Sequence, residues 1–185
     1  MQKLFSQELR FTDENGKDFT VWEVKTLSNL AKIMYGKDQK QIITENGKYP
    51  ILGTGGIMGS TNKFLYDKPS VLIGRKGTID KPVYMDTPFW TVDTLFYTEV
   101  FRNTFPKWLF YKFQTINWYL YNEASGVPSL SGSTIYKIKM ELPCFSEQTK
   151  IANFLSAIDE KIGHCQTQIE KTEQYKKGLL QKMFC

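Results

Sequence analysis

The segment running from Tyr49 to Thr94, YPILGTGGIMGSTNKFLYDKPSVLIGRKGTIDKPVYMDTPFWTVDT, alternates short apolar runs with loops rich in Gly, Thr, Ser, Asn and Lys. The runs at residues 49–52, 71–73, 83–85 and 90–92 have strand length and are punctuated by turn residues, which predicts a sheet with polar loops at its strand ends. Gly53, Gly55, Gly56 and Gly59 mark a loop whose backbone can approach another surface closely. Lys63, Lys68, Arg75, Lys76 and Lys81 place cations beside it, an arrangement suited to a phosphate backbone.

Two loops bear on what this sheet is for. Residues 53–59 invite a nucleotide-binding reading, but GxGxxG requires glycine where Met58 stands, and no Gly-Lys-Ser/Thr follows to make a P-loop. A tight turn between strands and a DNA-contacting loop both fit the glycines. Thr54, Ser60, Thr61 and Asn62 add short donors and acceptors for phosphates or base edges. In Gly74-Arg75-Lys76-Gly77-Thr78, two cations emerge where an apolar run stops. An arginine fork matches guanine O6 and N7, whereas Lys76 meets a phosphate as a point charge. A solvated basic turn is the alternative, and the basic loop just upstream favours nucleic acid.

Catalytic constellations do not assemble. Asp86-Thr87-Pro88-Phe89 approximates the (Asp/Asn)-Pro-Pro-(Tyr/Phe) motif of amino-methyltransferases without its first proline, and no upstream glycine motif suits S-adenosylmethionine. His164 is the single histidine and has no ligand partners at metal-binding spacing, so a surface helix position is expected. Glu99, Glu123 and Glu141 make no pair for acid–base work. These features point to binding rather than catalysis.

Outward from the sheet, MQKLFSQELR at residues 1–10 has the character of a helix tail, and DENGKD at 13–18 supplies a turn signal. Gln2, Lys3, Leu4 and Phe5 echo Gln181, Lys182, Met183 and Phe184, which hints at a unit from a tandem duplication. Leu27, Leu30, Ala31 and Met34 fall at helical spacing behind a possible Thr26 cap, predicting a helix over 26–34 that Gly36 ends. Residues 105–116 predict a second helix, with Pro106 in its first turn and Trp108, Leu109, Phe113 and Ile116 facing a core. Residues 124–133 form a small-residue loop. Ile135, Ile138, Met140 and Leu142 predict a strand stopped by Pro143.

From Ser146 to Phe184 there is no proline, and Glu, Gln, Lys and aliphatic residues dominate, predicting one long helix capped by Ser146 with Glu147 in its first turn. Ile151, Leu155, Ile158, Ile162, Cys165, Ile169, Thr172, Lys176, Leu179 and Met183 follow steps of four and three, a heptad seam weakened at two polar positions. At about 1.5 Å rise per residue such a helix is near 55 Å long, too long to bury its seam on a domain about 30 Å across. It needs another helix.

The whole chain has 185 residues, 41% of them hydrophobic, enough for one packed domain and an accessory element. A net charge of +5 leans towards an anionic partner. Cys144, Cys165 and Cys185 lack zinc-site spacing and are odd in number, so neither a structural metal nor a disulfide framework is expected. With no charged-then-apolar leader and no apolar run near the roughly twenty residues that cross a bilayer, the expected location is cytoplasmic.

Taken together and in order, YPILGTGGIMG, PSVLIGRKGTIDKP, FWTVDT, GVPSLSGSTI, LPCFSEQTKIANFLSAIDEKI and KKGLLQKMF resemble one target-recognition domain and its following helix in the DNA-specificity subunit of type I restriction-modification systems. The resemblance implies an α+β fold: residues 1–19 as a helix tail and turn, a target-recognition domain with a twisted sheet and short helices at 20–145, and a long coiled-coil helix at 146–185. Family members carry two recognition domains and two such helices, so one of each implies a natural half-subunit or the second half of a longer subunit. The implied role is reading one half of a bipartite DNA site. The helix would bind modification subunits that methylate adenine, with the ATP-hydrolysing restriction subunit joining them. No cofactor is implied on this chain, since S-adenosylmethionine, ATP and Mg belong to the partners.

On matching positions, Lys37, Thr54, Ser60, Asn62, Lys63, Arg75, Lys76, Lys81 and Ser129 are the expected DNA contacts. Ile151, Leu155, Ile158, Ile162, Ile169, Leu179 and Met183 are the expected dimer or partner-helix contacts, with a homodimer the simplest assembly. The alternative is a coiled-coil interaction module whose basic domain binds protein or RNA.

Overall fold

Strand β5, Ser70–Gly74, is buried along its whole length, and the domain is layered around it. In the computed structural model, which describes residues 1–183, β5 pairs antiparallel with β6 (Val83–Met85) and β8 (Leu95–Val100), and β8 pairs with β2 (Ala31–Tyr35). The sheet order is therefore β2-β8-β5-β6. A strand covered on both faces needs a continuous apolar run, and Val71-Leu72-Ile73 supplies it. Val71 and Ile73 enter the main core with Phe96, Trp108, Leu109 and Phe113, while Leu72 enters a second cluster with Leu52, Phe89, Leu95 and Tyr97. Where backbone pairing runs out, Ser70 Oγ donates to the Thr98 carbonyl at 2.8 Å and Val71 N donates to Thr98 Oγ1 at 2.8 Å, satisfying groups buried from water.

A second sheet has the order β4-β3-β7, from β3 (Tyr49–Gly53), β4 (Gly56–Thr61) and β7 (Trp90–Thr91). β3 and β4 form an antiparallel hairpin, and β7 runs parallel to β3. A third pairing, β1 (Glu23–Thr26) with β9 (Lys139–Leu142), ties the early chain to its late part. The main core is closed by α1 (Gln2–Phe5), α2 (Pro106–Gln114), α3 (Gly132–Tyr136) and the first turns of α4 (Phe145–Met183).

The start of α4 is latched to the domain through Glu147 and Gln148, both fully buried. The Glu147 carboxylate accepts from Arg10 Nη2 at 2.8 Å, Arg10 Nε at 3.1 Å and Trp22 Nε1 at 2.8 Å. Gln148 Oε1 accepts from Phe105 N at 2.7 Å, and its Nε2 donates to the Pro143 and Asn103 carbonyls. A buried carboxylate is tolerated only with such partners. The Glu-Gln pair is thus an anchor for the helix, and Ile151, Ala152 and Leu155 continue the anchorage into the core.

Several expectations need correction. The helix predicted over 26–34 is a 3-10 turn at Leu27–Asn29 followed by strand β2; Thr26 does cap the turn, in a reciprocal capping box with Asn29. Pairing with β8 overrides the helical spacing, and Ala31 and Ile33 turn inward as strand alternation requires. The glycine loop at 53–59 is mostly strand, since β4 begins at Gly56 and only Thr54-Gly55 make the turn. The strand predicted from Ile135 is confined to β9, because Ser131 Oγ accepts from Thr134 N and caps α3 ahead of it. Only Gln2–Phe5 of the opening segment are helical. α4 starts at Phe145, so Ser146 lies inside its first turn rather than capping it. Phe184 lies outside the described residues.

Candidate nucleic-acid interface

The cationic face is built where three loops meet. The first is the tip of the β3–β4 hairpin, where Gly53 opposes Gly56 and the turn is Thr54-Gly55. Gly56 has φ +109°, a conformation that L side chains avoid. The second loop leaves β5 with Arg75, Lys76 and Gly77. Arg75 N donates to the Thr94 carbonyl at 2.8 Å and Gly77 N to the Pro128 carbonyl at 2.8 Å, while the Arg75 carbonyl accepts from Leu130 N at 2.9 Å. Lys76 and Ser129 therefore face each other in a strand-like bridge, which brings in the third loop. A Cβ placed on Gly77 would sit 3.5 Å from Thr54 Oγ1, so the hairpin tip abuts this second loop.

The second and third loops are braced by side chains around them. Asn122 Oδ1 accepts from Ala124 N at 3.2 Å and Ser129 N at 2.9 Å, and Glu123 N donates to the Ser129 carbonyl at 3.0 Å. Ser131 and Thr134 hydroxyls donate to the Glu123 carboxylate and hold it below the usual carboxylate range. Arg75 is fixed by Nη1 donating to the Asp93 carbonyl at 3.1 Å and by the Tyr35 ring, 5.5 Å from the guanidinium carbon. Lys37 is tied to the same segment. Its N donates to the Thr91 carbonyl and its carbonyl accepts from Trp90 Nε1 at 3.0 Å, leaving the ammonium exposed.

The nine expected DNA contacts thus fall into two groups. Thr54, Arg75, Lys76 and Ser129 converge, Lys81 lines a cleft with Thr54, and Lys37 borders the group through the 90–93 segment. Ser60, Asn62 and Lys63 lie at the far end of β4, about 17 Å along the strand. There Ser60 Oγ accepts from Gly47 N and donates to the Thr44 carbonyl, both at 2.8 Å, and Asn62 Oδ1 accepts from Lys48 N at 3.1 Å. Those two side chains brace the 44–48 loop, and Lys63 remains exposed beside them. Sequence reasoning missed the braces Tyr35, Asp93, Asn122 and Glu123, which come from distant segments. The Asn122 Asx-type turn ahead of a Gly-Pro loop was the one local signal available.

Phe89 of the partial methyltransferase-like motif is fully buried in the second core cluster, so it is unavailable for stacking on a base. Among the described residues no three His, Cys, Asp or Glu side chains stand together as a metal site, and no helix is long and apolar enough to cross a membrane.

On α4 the seam divides. Ile151 and Leu155 are buried against the domain, whereas Ile158, Ile162, Ile169, Leu179 and Met183 are exposed, reaching 72% at Met183.

Comparison with known proteins agrees with this architecture. The family model described as type I restriction modification DNA specificity domain matches residues 20–174. The MjaVIII type I restriction enzyme specificity subunit of Methanocaldococcus jannaschii is 29% identical over 187 residues, covering 88% of this chain and 42% of the relative. A putative MjaX specificity subunit of the same organism is 34% identical over 74 residues, covering 40% of this chain and 17% of the relative. The S subunit structure from M. genitalium matches with a TM-score of 0.71 at 20% identity, over 88% of this chain and 44% of that one. The HsdS subunit from Thermoanaerobacter tengcongensis matches at 0.60 and 16% identity, over 82% and 41%. The chain spans less than half the length of each of these relatives. By the family model, and with the fold in agreement, the chain belongs to the type I restriction modification DNA specificity domain family and corresponds to one half of a specificity subunit.

Proposed function

We propose that the chain recognises one half of a bipartite double-stranded DNA site and directs adenine methylation and cleavage carried out by partner subunits. The observation behind this reading is the convergence of the Thr54 turn, the Arg75-Lys76 loop and the Ser129 loop on one braced, cationic face. Arg75, held with its guanidinium partly exposed, suits a guanine edge; Lys76, Lys81 and Lys37 suit flanking phosphates. Ser60, Asn62 and Lys63 extend the footprint along the hairpin.

The chain itself is non-catalytic in this reading, with S-adenosylmethionine, ATP and magnesium on the modification and restriction subunits. The exposed seam of α4 serves as the docking stripe, as a coiled coil with a second copy and as a seat for modification subunits, in the cytoplasm.

Filter binding of duplex DNA across a salt series tests the core of the proposal. Several phosphate contacts make log affinity fall steeply with log salt, by about 0.9 per phosphate neutralised. A flat salt response, or retention of RNA or protein but not duplex, would favour the alternative interaction module.

A further inference from the structure

The tip of the β3–β4 hairpin carries two large apolar side chains in a setting otherwise made of glycines and cations. Ile57 is 75% exposed and Met58 58% exposed. The strand register slips between Ile51 and Leu52: Ile51 opposes Gly59 and Leu52 opposes Ile57, leaving Met58 as an extra, bulged residue. Bulges re-aim side chains at binding edges. The Met58 sulfur packs so closely over Gly53 that a Cβ there would collide with it, which seats Met58 across the hairpin, while Ile57 is left largely uncovered. Cβ positions on Gly55, Gly56 and Gly59 meet open space, so the tip is a thin ribbon. Lys81 lines the same cleft as Ile57 and Thr54, and the Arg75-Lys76 loop adjoins Thr54 through Gly77.

A complementary surface must be anionic at its rim and apolar at one central point. The major groove of a duplex has this character: it admits a two-stranded ribbon, is bordered by phosphates, and its sole apolar marker is the 5-methyl group of thymine. We propose that Ile57 is a specificity-determining residue that reads a thymine methyl in the half-site, with Met58 packed beside it. This inference rests on the DNA-reading role proposed above.

The test uses the full chain and a random-core duplex library amplified either with thymidine or with deoxyuridine triphosphate, which lacks the methyl group. The thymine library is expected to yield a sequence with a fixed thymine, and replacing that base by uracil weakens binding about fourfold, the worth of one buried methyl. Ile57→Ala should erase the thymine–uracil difference while melting like the parent, because the side chain is exposed; Ile57→Val should keep it. Binding of DNA with no thymine–uracil difference at any position overturns the inference and leaves the DNA-reading role standing. Binding of no duplex at all overturns both. If Ile57→Ala keeps the thymine preference but abolishes capture of a modification subunit, the tip is a protein dock and the inference is again overturned.

Discussion

Arg75 is bound more firmly to the backbone of Asp93 than to its side chain: Nη1 donates to the carbonyl at 3.1 Å, while the nearer carboxylate oxygen lies 3.8 Å away on a largely exposed side chain. An exposed pair at that distance contributes little to stability. Its carboxylate does sit among the groups that would meet phosphates. Asp93→Asn leaves the backbone contact intact, so the guanidinium keeps its aim while a repulsive charge is removed. Tighter duplex binding at low salt, fading as salt rises, is the expected outcome. Arg75→Ala should weaken binding by about 1–3 kcal/mol and relax specificity at one base, and Lys76→Ala should lower the salt slope by about one without changing base preference. Parent-like affinity of a folded Arg75→Ala, Lys76→Ala double variant would remove this loop from the interface.

The latch at the start of α4 yields a stability prediction. Arg10→Met leaves the fully buried Glu147 carboxylate with only Trp22 as partner, and stranding a buried charge costs about 3 kcal/mol or more. Glu147→Gln is milder, about 2 kcal/mol, because it removes the charge from the buried site and leaves Arg10, which is partly exposed, to water. Urea denaturation of the two variants checks the order. The reverse order would mean that the helix start tolerates an unpaired carboxylate.

Tyr111 links α2 to α4 by donating its hydroxyl to Asp159 Oδ2 at 2.6 Å. Burial, and then the hydrogen bond to Asp159, push the phenol up to about 12. The folded value exceeds the unfolded value near 10, so the folded state favours the protonated phenol. That contribution is complete below pH 10 and is lost as pH rises from 10 towards 12. Its size is on the order of 2 kcal/mol. Denaturation midpoints of Tyr111→Phe and the parent should therefore converge over that window. A constant gap from pH 8 to pH 12 would show that the phenol does not sense its partner.

The elements legible in the sequence were those whose pattern is local and repeated. α4 declared itself through a long proline-free seam, α2 through Pro106 and the steps of four and three from Leu109 to Phe113 to Ile116, and β5 through an unbroken apolar run. Residues 26–34 misled because Leu27, Leu30, Ala31 and Met34 satisfy a helical period over too few residues to exclude a strand, and the partner that decides between them, β8, lies far along the chain. β4 was hidden by glycines that read as loop. The grouping of Thr54, Arg75, Lys76 and Ser129 depends on contacts between segments remote in sequence, such as Gly77 N to the Pro128 carbonyl. The residue types were readable there; their convergence was not.

The final prediction concerns assembly. Past Leu155 the apolar seam of α4 is no longer buried by the domain, and Ile158, Ile162, Ile169, Leu179 and Met183 are exposed along it. With 39 residues the helix is about 58 Å long, and the same stripe on a second copy is a self-complementary cover. A two-fold axis perpendicular to the seam makes the helices antiparallel and sets the recognition domains at opposite ends, whereas an axis along the coil would keep them at the same end. Domain separation then corresponds to at most about 1.7 DNA turns of roughly 35 Å, so the methylated site is expected to be an interrupted palindrome with equal half-sites and a fixed spacer. Ile158→Asp with Ile162→Asp places two carboxylates in the seam and should dissociate the pair, while leaving Ile151 and Leu155, and hence the domain's melting transition, unaffected. Light scattering at micromolar concentration reads the first outcome and methylome sequencing with a modification subunit reads the second. A monomeric parent protein, or an asymmetric methylated motif, refutes the symmetric pair and makes the seam a binding surface for a different helix.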